Sequence, residues 1–163
     1  MPSSPANTKR LFDFDINNLY NNKKYEKGIK NFIMLTVNYV DNDDELLRIY
    51  DRAGVAGSNT SGINAVLFDD DEGIGVCKMT LRDEGVLIVS FDVAKDKAED
   101  PSVSDFFFRT ILFKLSMTDV TILCEPDERL EKFGFKMHGD LMAVSARDVV
   151  FPSTCGGHHQ IDN

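Results

Sequence analysis

The side chains best suited to chemistry in this sequence are two carboxylates at the ends of apolar strands. Val86-Leu87-Ile88-Val89-Ser90-Phe91-Asp92-Val93 reads as a strand with two faces, one of which carries Ser90 and Asp92. Glu125 follows directly on Val120-Thr121-Ile122-Leu123-Cys124, a short β-branched run. A carboxylate whose pKa is raised by its setting can take a proton from an amine nucleophile, so Asp92 and Glu125 are candidate general bases. The plainer alternative makes both of them solvated strand-end carboxylates. A second cluster, Cys155-Gly156-Gly157-His158-His159, offers a thiol and two imidazoles. Zinc takes four ligands and no other cluster supplies the rest, so this reads as a flexible tail and no metal is expected. Asp69-Asp70-Asp71-Glu72 lacks the ligand spacing of a calcium loop and reads as a solvated turn. Cys77 and Cys124 sit in apolar strand contexts as packing residues. His138 has no obvious Ser or Cys partner, and no nucleophile elbow, Walker loop or dinucleotide fingerprint is present.

The elements that must position these groups are organised around residues 103–115. Val103, Phe106, Phe107, Phe108, Ile111, Leu112, Phe113 and Leu115 cover most of a helix circumference, which calls for burial against a sheet. Before it, residues 32–40 predict a first strand. Asp41 or Asn42 then caps a helix that carries Asp43, Asp44 and Glu45 in its first turn and stops at Gly54. Strands at 63–68, 74–81 and 86–93 follow, joined by loops short enough for antiparallel hairpins. Residues 94–102 read as a charged loop, 120–124 as a buried strand, and the stretch up to Phe133 as a short helix closed by Gly134. Residues 137–146 form the last strand. The fold class is α+β: a central, mostly antiparallel sheet with helices on both faces. Before this domain, which spans 30–146, lies an arm at 1–29, and after it a tail at 147–163. Within the arm, Phe12 to Tyr20 suits a short strand or a helix capped by Asp15, and the residues do not choose between them.

The bulk numbers bound the function. At 163 residues, 42% hydrophobic and 28% charged, the chain is long enough for one domain with a full core. No run reaches the roughly 18 apolar residues of a membrane span, and Met1 to Arg10 lacks a signal-peptide core. Three scattered cysteines argue against a disulfide framework, so a reducing, cytoplasmic setting is the expectation. The net charge is −9, but residues 1–30 set six Lys and Arg against three carboxylates, leaving −12 on the rest. An acidic body argues against nucleic-acid binding, which needs clustered cations. It suits solubility, or a protein partner met through the acidic surface or the terminal tails.

The element order, together with Glu131-Lys132-Phe133-Gly134-Phe135 near its end, resembles the GNAT superfamily of N-acetyltransferases. The resemblance covers about residues 30–146. It implies an acyl-CoA N-acyltransferase-like fold and transfer of an acyl group from acetyl-CoA or another acyl-CoA to an amine. It also implies a cleft where strands four and five splay, with Asp92 and Glu125 as a carboxylate pair over it. Backbone groups near Phe91 and Val93 would hold the pantetheine, and Lys95, Lys97, Ser102, Val103 and Ser104 the phosphates. Two departures accompany the match. The family's glycine-containing phosphate loop is replaced by Lys95-Asp96-Lys97-Ala98-Glu99-Asp100-Pro101-Ser102, and the position of its general-acid tyrosine falls at Leu130. These departures imply an alternative: a non-catalytic member kept as a binding or structural module.

Overall fold

The computed structural model describes residues 34–153, so the arm at 1–29 and the Cys155–His159 cluster lie outside the described residues. β1 spans Leu35–Tyr39. α1 spans Asp43–Ala53, with the Asn42 side chain accepting a hydrogen bond from the Glu45 amide at 2.9 Å. That cap and the three acidic residues of the first turn complement the positive end of the helix. Gly54 closes it in the left-handed region at φ 75°. β2 (Ile63–Asp69), β3 (Glu72–Arg82) and β4 (Gly85–Val93) form a meander joined by two-residue turns. α2 is a single turn at Lys95–Ala98, and α3 is the long helix Pro101–Ser116. β5 (Thr121–Cys124) leads through a 3-10 turn at Glu128–Phe133 into β6 (Lys136–His138) and β7 (Leu141–Ser145).

The strands make one seven-stranded sheet in the order β1-β2-β3-β4-β5-β7-β6. β4 and β5 are parallel neighbours and the other neighbouring pairs are antiparallel. Helices cover both faces, as the sequence predicts. On one face Phe107, Ile111, Leu112 and Leu115 of α3 pack on Ala65, Leu67, Cys77 and Ile122. On the other, Leu46, Ile49, Tyr50 and Ala53 of α1 pack on Val66 and Val76.

The structure departs from the sequence reading in four places. The segment read as one last strand is a hairpin, because Gly139 at φ 64° turns the chain between His138 and Leu141. The short helix before Gly134 is 3-10 in form, started by Asp127, whose side chain accepts from the Arg129 amide. The charged loop before α3 contains α2. Finally, α3 begins at Pro101, two residues ahead of the predicted helix, and is capped by Asp100.

Candidate functional site

The parallel ladder between β4 and β5 is two pairs long, Val86↔Ile122 and Leu87↔Leu123. Beyond it β4 continues to Val93 against β3 alone. Lys78 pairs with Ser90 and Met79 with Ile88, so Val89 is an extra residue in β4, and it stands 48% exposed. Such a bulge bends the strand that carries it. Placed two residues past the last β5 pair, it turns β4 away from β5 and leaves an open backbone edge.

The strand period decides which groups line that edge. The Ala94 amide donates to the Ile74 carbonyl at 2.7 Å, so the peptide groups of Ala94 and Asp92 face β3. Those of Phe91 and Val93 therefore face the opening. The Phe91 ring lies on the α3 side, with its centroid 4.8 Å from Phe107 and 5.5 Å from Phe108. Phe108 meets Phe133 edge-on at 5.3 Å. This row of rings links β4 to the turn after β5 and floors the opening. Leu130 packs against the same core, with no hydroxyl to offer.

Asp92 pairs in register with Val76, a residue that packs under α1, so its side chain belongs to the α1 face of the sheet. Glu125 is exposed just past the end of β5. Since Leu87 is level with Leu123, Glu125 is level with Val89, and Asp92 lies three residues farther on, about 10 Å at the strand rise. The two carboxylates thus flank the opening at different heights, on diverging strands. The structure does not bring them into contact.

Where the resemblance places the phosphates, the backbone is closed on itself. The amides of Lys97 and Ala98 donate to the Ala94 carbonyl at 2.9 and 2.8 Å, and those of Asp100 and Val103 to the Lys97 and Asp100 carbonyls at 3.3 and 3.1 Å. The Ser102 amide donates to Asp100 Oδ1 at 2.9 Å, and the Ser102 hydroxyl to the same oxygen at 2.6 Å. Glu99 N–H is directed at the Lys97 carbonyl, and Pro101 has no N–H. Lys97 Nζ is paired with Asp69 at 2.6 Å, which raises the lysine's pKa. Arg52 grips both oxygens of Asp96 at 2.8 and 3.0 Å and Glu72 at 2.9 Å. Hydrogen bonds from Arg52 hold the Asp96 carboxyl below its usual value. Of the predicted phosphate ligands, Lys95 is exposed at the start of α2, while Val103 and Ser104 are half-buried in the first turns of α3.

Arg52, Asp69 and Asp96, and the cap made by Asp100, are what sequence reasoning missed here. Asp100-Pro101 carries its own signal, since an Asp before a Pro at the first helical position marks a helix start. The pairs Arg52–Asp96 and Lys97–Asp69 join residues distant in sequence and leave no local trace. An apolar groove of about 550 Å³ lies at the other end of β4, lined by Ile63, Leu81, Val86, Leu115, Met117 and Val120. It is remote from Asp92. No group of three or more potential metal ligands occurs among the described residues.

No protein-family model matches the sequence, and no curated protein sequence matches it. Solved structures do. The chain is similar to the ribosomal-protein-S18-alanine N-acetyltransferase of Escherichia coli at 12% identity and a TM-score of 0.55, over 75% of this chain and 99% of that one. A GNAT-family acetyltransferase of Streptococcus pneumoniae matches at 14% identity and a TM-score of 0.44, over 62% of this chain and 82% of that one. Identity this low speaks for architecture alone, and with the seven-stranded, mostly antiparallel sheet and its parting fourth and fifth strands the chain has the GNAT acetyltransferase fold.

Proposed function

We propose that the protein is an N-acyltransferase of the GNAT type, which takes an acyl group from acyl-CoA and passes it to an amine. The observation that supports this reading is the open edge of β4. Pantetheine is an extended chain with two amides, and the peptide groups of Phe91 and Val93 offer it the pairing a neighbouring strand would make. The thioester then lies over the gap between β4 and β5. A neutral amine attacks its carbonyl carbon, the tetrahedral adduct collapses, and the C–S bond breaks to release the CoA thiolate. Asp92 is the candidate base for the proton the amine sheds, with Glu125 the other carboxylate at the opening. With Leu130 where a proton donor would stand, the thiolate leaves as the anion and is protonated by solvent.

The test is thermal melting with acetyl-CoA. At one hundred times its dissociation constant the ligand stabilises by about 2.7 kcal/mol, read as a rise in Tm. Asp92→Asn should keep that rise and lower kcat by roughly 10²–10⁴-fold. A flat melting curve up to millimolar acetyl-CoA overturns the reading.

A second reading, a non-catalytic binding module, is favoured by the closed backbone at Lys97–Val103 and by Leu130. The fold would then serve to meet another protein through the acidic surface or the terminal tails. The flat melting curve is the outcome that selects it.

A further inference from the structure

The phosphate end of the site carries a finer conclusion about the acyl donor. A pyrophosphate at a helix start is held by backbone N–H groups that have no other partner. From Lys97 to Val103 each such group in this chain already donates to an oxygen of the same segment or, at Pro101, does not exist. The start of α3 also holds its own anion. Asp100 Oδ1 takes both the amide and the hydroxyl of Ser102, filling the position at which an incoming phosphate oxygen would be satisfied. Lys97 is committed to Asp69. Asp96, the other charged residue of α2 besides Lys95, is locked to Arg52, which in turn ties α2 to α1 and to the start of β3. These ties oppose a rearrangement that would free the amides. Glu99 and Asp100 add two carboxylates in succession at the start of α3. At the other end, the β4 edge at Phe91 and Val93 keeps its peptide groups open.

We infer that the acyl donor is recognised as an acyl-pantetheine thioester, and that the phosphorylated nucleotide half of CoA adds nothing to its affinity. Asp100 is the residue that sets this preference. The inference rests on the acyltransferase reading and names the part of the donor which that site accepts.

Calorimetry with two probes, acetyl-CoA and S-acetyl-pantetheine, tests it on the full chain. The expected result is dissociation constants within about threefold of each other, with acetyl-CoA gaining relative affinity as salt screens the carboxylates. Acetyl-CoA binding tenfold or more tightly than acetyl-pantetheine overturns the inference and leaves the acyltransferase reading standing. Binding of neither probe overturns that reading itself, so the two failures are distinct. Asp100→Ser supplies the second arm. Serine caps helices well, so the fold should persist, as an unchanged circular dichroism spectrum would show. The variant should bind acetyl-CoA several-fold more tightly and acetyl-pantetheine as before. An unchanged ratio removes Asp100 as the determinant and overturns its assignment.

Discussion

Gly85 opens β4 at φ 151°, and a Cβ there would stand 2.1 Å from the carbonyl oxygen of Thr121. That oxygen is backbone and has no rotamer to escape into. Gly85→Ala must therefore part β4 from β5 where the two are paired, at a cost of about 3 kcal/mol. Urea denaturation would measure it, and a loss below roughly 0.5 kcal/mol, the level of an ordinary surface change, would show that the strands do not meet as described. Two other residues of this core have an unusual acid-base chemistry. Burial raises the thiols of both Cys77 and Cys124, that of Cys124 to about 12. Thiolate is the reactive form, so in a Cys155→Ser background neither should react with a disulfide reagent at pH 8 until the protein unfolds. The pH dependence follows in sign. Above the ordinary thiol value of 9.0 the unfolded chain loses these protons while the native chain keeps them. The contribution is whole below pH 9 and is lost as pH rises towards 12. Stability that stayed level across that window in titrated melts would contradict the burial.

α3 is the element on which the sheet depends. Phe107 and Ile111 are fully buried, and Phe107 sits close on Gly75, where a Cβ would lie 3.2 Å from its ring. Truncating either residue to Ala leaves a cavity in this buried core. A loss on the order of 2–5 kcal/mol is expected from denaturant titration, and an unchanged midpoint would remove α3 from the core. This helix was legible in the sequence because eight apolar residues in thirteen admit no solvent-facing solution. α1 was legible from its cap, acidic first turn and closing glycine. The β6–β7 hairpin was not, because Met137 and His138 are exposed on an edge strand and supply no alternation to mark a break. α2 was hidden for a similar reason. Its four residues are too few for a period, and it is held by ion pairs with distant residues.

At the scale of the whole molecule the proposed site is a gap in a sheet. Phe91 and Val93 on the open edge came from the resemblance and not from alternation along β4, whose period is interrupted at Val89. The ion pairs that pin α2 could not be read from the sequence, because they depend on Arg52 and Asp69 arriving from other parts of the chain. The same gap bears on how the molecule assembles. β2, β3 and β4 are joined by two-residue turns, so their contacts close small loops. β5 and β7, by contrast, reach the rest of the sheet through two residue pairs, after the chain has crossed over by way of α3. Long-range parallel pairing is the slower kind, because loop closure must precede any gain. In a refolding experiment read by pulse-labelled amide exchange, protection should come first in the β2–β4 meander and later in β5 and β7. Simultaneous protection of both would contradict this order. The seam at Leu87 and Leu123 is then the last place to zip, and under load along the strands the first to tear.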